Sequence, residues 1–216
     1  FLVRGPVVDR FFQSQRGSCL IVGNGPSLND IPDAFLRKYP SFGCNLIFLR
    51  QTFAPTFYVT VDRWIVDGFG SEILSRFMAI PKFVPRPELD DWGGASVYRF
   101  LHNPGELSLL ERDLRPDFMR ETGIAWRGVS HAMLQLAFFM GFERFYLVGC
   151  DNTPDAKHFY GEEVNDHQVD RDLWEWGFDT LQVSFLPKPI INLSTRGEIR
   201  CLPRGDWRQL AEQERL

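Results

Sequence analysis

Three observations predict an α/β fold in which a mainly parallel sheet is flanked by helices. Short apolar runs alternate with segments of helical period, the first run stops in a glycine-rich turn, and polar residues gather where the runs end. Such alternation implies right-handed βαβ crossovers and places functional groups at the carboxyl ends of the strands.

The first run, Cys19-Leu20-Ile21-Val22, reads as a buried strand feeding the tight loop Gly23-Asn24-Gly25-Pro26-Ser27. A helical pattern over Ala34–Tyr39 leads to a second strand-like run, Phe42–Phe48, with a polar break at Cys44-Asn45, and a third, Thr56–Val61, runs out into Asp62. The period then lengthens to that of a helix over Trp64–Met78. Between Pro81 and Arg120 the pattern weakens under Pro81, Pro85, Pro87, Pro104 and Pro116, which predicts a lid or insertion at 81–120. That segment has room for a small antiparallel pair that includes Ala95–Leu101. Periodicity returns as a helix over Gly128–Met140, a strand over Phe145–Val148, a helix over Val169–Phe185 and a short strand over Pro189–Asn192, and the tail from Cys201 predicts a short exposed helix. A length of 216 residues suits one domain spanning 1–216.

Composition narrows the function classes. The net charge is -4, from 28 acids against 24 bases, with no long block of like charge, which argues against a nucleic-acid partner. No apolar stretch reaches the roughly 20 residues that span a bilayer, so no transmembrane segment is expected. The four cysteines are widely spaced, with no CxxC pair, which predicts free thiols, no zinc site and a reducing, cytoplasmic setting.

The turn at Gly23–Ser27 is where α/β proteins hold phosphate: Pro26 suits the first helical position, leaving the N–H groups of Ser27 and Leu28 and the Ser27 hydroxyl to meet an anion, with Asn24 adding an amide. The same residues also suit a capped βα turn. Two standard phosphate loops are excluded. A dinucleotide fingerprint needs a third glycine where Leu28 stands, and a P-loop needs a Gly-Lys pair that the chain lacks. Asn45 and Asp62 end successive strands and are placed to bond a base, a ribose or the water shell of a cation, or simply to cap their turns. Asp151, leaving its strand through Gly149, reaches the same edge, where it can take a substrate hydroxyl or a metal. Gly128-Val129-Ser130 opens a helix and offers a second anion position. Histidine as a residue type can take a proton near neutral pH, which makes His158 and His167 the candidate general bases. The aromatic segment Leu173–Phe178 has helical period and reads as a packing face, with a sugar or base platform as the alternative.

In their order, Ile21–Leu28, Cys44-Asn45, Val59–Asp62, Gly128–Ser130 and Gly141–Asp151 resemble the superfamily that contains the bacterial family 42 sialyltransferases and the 6-hydroxymethylpterin diphosphokinase MptE-like proteins. The resemblance implies a Rossmann-like domain that binds a nucleotide and transfers a group from it. In the sialyltransferases that group leaves a cytidine monophosphate sugar without a metal, with tyrosines assisting the phosphate and a histidine ahead of the last long helix as base. His167 occupies a comparable place. Two departures stand out: Asp62 replaces an expected asparagine, and Asn152-Thr153 replaces a tyrosine expected beyond Asp151. The expectation is therefore a nucleotide-dependent transferase, foremost a glycosyltransferase that takes a nucleotide-sugar donor and a small-molecule or glycan acceptor and requires no cofactor. One alternative is a diphosphokinase taking a nucleoside triphosphate, with Mg²⁺ on Asp62 and Asp151. The other is a domain that binds a nucleotide or nucleotide sugar without turnover.

Overall fold

The computed structural model describes residues 8–94, 96–101, 124, 128–152, 157–161, 171–185, 187–197 and 199–213. Among the described residues seven strands form one sheet: β1 Ser18–Val22, β2 Ser41–Cys44, β3 Phe57–Val59, β4 Lys82–Arg86, β5 Val97–Leu101, β6 Arg144–Val148 and β7 Ile190–Asn192. Their order is β5-β4-β3-β2-β1-β6-β7, and every neighbouring pair is parallel. The helices are α1 Asp33–Leu36, α2 Arg63–Arg76, α3 Val129–Met140, α4 Arg171–Ser184 and α5 Trp207–Gln213. The predicted α/β architecture is the one observed.

Strand alternation divides the core into two layers. Cys19 and Ile21 of β1 and Phe145 and Leu147 of β6 point to the face covered by α3, α4 and Phe11. Leu20, Val22, Tyr146 and Val148 point to the face covered by Leu28, Phe35, Ile65 and Ile73. Helix α3 is buried along its whole length apart from Val129, which explains why its sequence is mostly apolar. Its carboxyl end lies beside the entry to β1, where the Gln13 and Gln15 N–H groups donate to the Phe139 and Met140 carbonyls at 3.1 and 2.8 Å. The N-terminus of α3 consequently sits at the carboxyl edge of the sheet.

Two expectations need correction. The run Phe42–Phe48 is a strand only to Cys44; Asn45 takes a positive φ of 46° and turns the chain into a 3-10 turn over Asn45–Leu49. Within the expected lid, residues 82–101 supply two further sheet strands, and Val97–Leu101 pairs parallel to β4 rather than in an antiparallel hairpin. Pro85 disguised β4 as a non-strand, yet it costs no ladder bond. The Lys82 N–H turns toward β5, donating to the Ser96 carbonyl at 2.8 Å, so alternation turns residue 85 toward β3, which has already ended at Val59. Residues 102–120 of that segment lie outside the described residues.

Candidate functional site

The chain leaves β1 toward β2 on one side and enters β6 on the other, so the order of the sheet reverses between β1 and β6. In open parallel sheets, ligands settle in the crevice outside the carboxyl ends of the strands at that reversal. The loops after β1, β2, β3 and β6 and the N-terminus of α3 all reach this edge.

The loops after β1 and β6 interlock. The Gly23 N–H donates to the Val148 carbonyl at 2.9 Å and the Gly25 N–H to the Gly149 carbonyl at 2.7 Å. A Cβ on Gly23 would stand 2.4 Å from the Gly149 oxygen, and one on Gly25 would stand 2.5 Å from Asp151 Oδ2, so close approach fixes both glycines. Pro26 opens a 3-10 turn over Pro26–Asp30. The Ser27 N–H donates to Asp151 Oδ2 at 2.7 Å, and its hydroxyl makes a short bond to Asp151 Oδ1. Both residues are buried. The anion that meets the Ser27 N–H is therefore the chain's own carboxylate. Burial raises the Asp151 pKa above its ordinary range, against the opposing bonds from Ser27. Arg50 braces the same turn from behind, donating to the Leu28 and Ile31 carbonyls at 2.6 and 2.7 Å and to Asp33 Oδ1 at 2.7 Å.

A second polar set lies after β2 and β3. Asn45 Nδ2 donates to Asp62 Oδ2 at 2.8 Å, the Thr60 hydroxyl donates to Asn45 Oδ1 at 3.1 Å, and the Tyr58 hydroxyl donates to the Asn45 carbonyl at 3.0 Å. Asparagine tolerates the left-handed backbone this arrangement demands. Burial raises the Asp62 pKa, with the Asn45 bond opposing.

Buried polar atoms at this edge with no hydrogen-bond partner among the described residues include Asn24 Oδ1, Ser130 Oγ and His158 Nδ1. Asn24 is otherwise anchored, its Nδ2 donating to the Cys44 carbonyl at 3.2 Å and its own carbonyl accepting the Phe159 N–H at 2.8 Å. That second bond folds the His158–Tyr160 segment over the first turn, and Asn29 Nδ2 holds the Phe159 carbonyl at 2.9 Å. Burial lowers the His158 pKa from its ordinary 6.5, with the neighbouring Asn24 backbone opposing, so the ring is neutral at neutral pH. Gly128 precedes α3 with no side-chain cap, and Ser130 lies in the helix's first turn.

The structure thus brings Gly23, Asn24, Gly25, Pro26, Ser27, Asp151 and His158 together across the β1–β6 reversal and joins Asn45 to Asp62 beside it. Gly128 and Ser130 reach the same edge on α3. His167 lies outside the described residues. Thr60, quoted only within Val59–Asp62, and Arg50 carry no role from the sequence because their partners lie 15 and 22 residues away. Among the described residues no group of three Asp, Glu, His or Cys side chains is disposed to hold a metal ion. An open hollow of about 560 Å³ lies away from the sheet edge, lined by Phe48, Leu49, Gln51, Ser71, Glu72, Ser75 and Arg76. It shares no residue with the interlocked loops. The thiols flanking β1 are inert, burial pushing Cys150 to about 12 and Cys44 well above its ordinary value.

Comparison with known proteins places the fold. The MAf glycosyltransferase from Magnetospirillum magneticum AMB-1 superposes with a TM-score of 0.60 at 16% identity, over 94% of this chain and 39% of that one. This chain therefore spans about two fifths of that protein's length. The sialyltransferase CstII from Campylobacter jejuni, solved with the substrate analogue cytidine-5'-monophosphate, superposes with a TM-score of 0.50 at 14% identity, over 86% of each chain. The fold is shared with glycosyltransferases. No protein-family model and no curated protein matches the sequence. No helix among the described residues is long and apolar enough to cross a membrane.

Proposed function

We propose that this chain is a glycosyltransferase-type domain that binds a nucleotide-activated sugar at the carboxyl edge of its sheet. One observation carries this proposal: Asn24 Oδ1, Ser130 Oγ and His158 Nδ1 are withdrawn from water at one sheet edge with no partner among the described residues. A buried polar atom left unpaired costs about 1–3 kcal/mol, and a ligand rich in hydroxyl, amide and phosphate groups supplies what each of them lacks. The fold shared with two glycosyltransferases, one of them solved with a cytidine nucleotide, supports the class.

In this mechanism Gly23, Gly25, Pro26 and Ser27 form the floor of the cleft and Asn24 faces the donor. Asn45 and Asp62 take its nucleoside, and Gly128 and Ser130 take its phosphate. The acceptor hydroxyl oxygen attacks the sugar's anomeric carbon, the bond from that carbon to the donor phosphate breaks, and its electron pair leaves on the phosphate. The hydroxyl proton passes to a neutral imidazole, His158 or His167, a role that the lowered pKa and the free Nδ1 of His158 support. Orientation and electrostatic stabilisation of the leaving phosphate supply most of the rate.

A divalent cation shared by Asp62 and Asp151, as a diphosphokinase of the MptE-like type requires, fits the donor set poorly. Both Asp151 oxygens are held by Ser27, one Asp62 oxygen is held by Asn45, and no further acid, histidine or cysteine completes a ligand group among the described residues.

The test is a thermal-shift panel of cytidine, uridine, guanosine and adenosine phosphates and their sugar conjugates, each with Mg²⁺ and with chelator. One base series is expected to raise the melting temperature in both conditions, and His158→Ala or His167→Ala to spare binding while abolishing transfer. Failure of every nucleotide at millimolar concentration refutes the proposal. Tight binding without turnover reduces the chain to a nucleotide-binding module.

A further inference from the structure

The anion position that the sequence suggests, the N–H groups after Pro26, is filled by Asp151. A donor phosphate needs another cradle. Among the described residues, the long helix α2 begins at this edge beside the Asp62 carboxylate, which repels an anion, whereas the twelve residues of α3 begin after Gly128 with no side-chain cap, leaving the Val129 and Ser130 N–H groups and the positive end of the helix dipole to meet one.

Two further observations there point to a ligand. Ser130 is 4% exposed, yet its hydroxyl has no partner among the described residues. The indole of Trp174, on α4, lies over Gly128 so closely that a Cβ on that glycine would stand 2.6 Å from Nε1. Packing explains the ring, which meets Phe178 edge-on at 4.9 Å and His131 at 5.8 Å. The nitrogen makes no hydrogen bond to a described residue and reaches the N-terminal end of α3, where Gly128 leaves it room. The Ser130 hydroxyl, the Trp174 N–H and the N–H groups of Val129 and Ser130 are all donors at the start of one helix, and such a set selects an anion.

We propose that Trp174 is a donor-site residue, and that its indole N–H, the Ser130 hydroxyl and the N-terminus of α3 together hold the phosphate of the donor nucleotide. This assignment rests on the nucleotide-binding function proposed above. The aromatic segment Leu173–Phe178 then serves both the packing of α4 and the site, through one nitrogen.

The experiment uses the whole chain labelled with ¹⁵N. Its six tryptophans give resolvable indole N–H signals, and loss of one signal in Trp174→Phe assigns residue 174. The chain is titrated separately with pyrophosphate, with CMP, UDP, GDP and ADP, and with the four nucleosides. The Trp174 signal is expected to move with nucleotides and with pyrophosphate and to stay in place with nucleosides. Trp174→Phe and Ser130→Ala are each expected to weaken nucleotide binding about tenfold or more, the effect of losing one hydrogen bond to a charged group. Ser130→Ala is also expected to leave the melting temperature unchanged or higher, because the lost hydroxyl has no partner in the free protein. Nucleotide binding with an unmoved Trp174 signal and undiminished affinity in both variants overturns the assignment while leaving the nucleotide-binding function intact. A Trp174 signal that moves with pyrophosphate while no nucleotide binds keeps the anion pocket and overturns the function. A signal that moves with nothing overturns both.

Discussion

Replacing Asp151 distinguishes a carboxylate that holds the fold from one that does chemistry. Its side chain is 3% exposed and accepts both the N–H and the hydroxyl of Ser27, which is itself 0% exposed. Asp151→Ala leaves both Ser27 donors unpaired in a dry site. Hydrogen bonds to an ionised partner contribute about 1.5–3 kcal/mol each, and removing the buried charge returns part of that, for a net loss of about 3 kcal/mol. Asp151→Asn keeps an acceptor for the N–H and turns its amide toward the Ser27 oxygen, which can accept, so the loss falls to about 1 kcal/mol. Urea unfolding of the three proteins at pH 7 reads these differences directly. The pH dependence gives an independent check. Because burial raises the native pKa of Asp151 above 3.8, the folded chain binds that proton more readily than the unfolded chain. The carboxylate therefore costs stability above its native pKa, and the cost is relieved as the pH falls toward 3.8, so wild type gains stability relative to Asp151→Asn on acidification. An asparagine variant as unstable as the alanine one, or a wild type that loses ground to it on acidification, refutes the interlock as the reason for this residue.

Other perturbations have equally definite outcomes. Gly25→Ala drives a Cβ to 2.5 Å from Asp151 Oδ2 and 2.8 Å from the Gly149 backbone oxygen, and the backbone cannot yield as a flexible side chain would. A loss of about 2–3 kcal/mol in denaturant unfolding is expected, and a neutral variant means the two loops are not locked together. His158 has a lowered pKa, so the stability linked to its neutral ring is present above pH 6.5 and is lost as the pH falls through its native value. In His158→Gln the slope of melting temperature against pH below 6.5 is expected to flatten, and an unchanged slope assigns that acid loss to other groups.

The alternation that predicts the sheet is a local property, because apolar runs of strand length show it whatever they pair with. This is why β1, β3, β6 and β7 are legible in the sequence along with α2, α3 and α4. Where the sequence misleads, the deciding contact is remote. Leu46, Ile47 and Phe48 continue the apolar run beyond Cys44, but Asn45 is held in a left-handed turn by Tyr58, Thr60 and Asp62 from the next strand, and the run becomes a 3-10 turn. Pro85 looks like a strand breaker until the early end of β3 shows that its missing N–H faces no neighbour.

The same distinction governs the phosphate turn. Gly23-Asn24-Gly25-Pro26-Ser27 carries the local marks of a loop that meets an anion, and in the fold its Ser27 donors do meet one. The sequence has no way to say that this anion is a side chain 124 residues further on. Glycines are required in either case, since both a phosphate and a tightly seated carboxylate loop need the backbone to come close. The two cases differ in what remains unpaired. At the Pro26 turn both Ser27 donors are satisfied, whereas at α3 a buried hydroxyl remains without a partner and an indole nitrogen lies over Gly128 at the start of the helix. The proposed ligand position therefore moves from the segment whose sequence pattern advertises it to the N-terminus of α3, where a buried hydroxyl is left open.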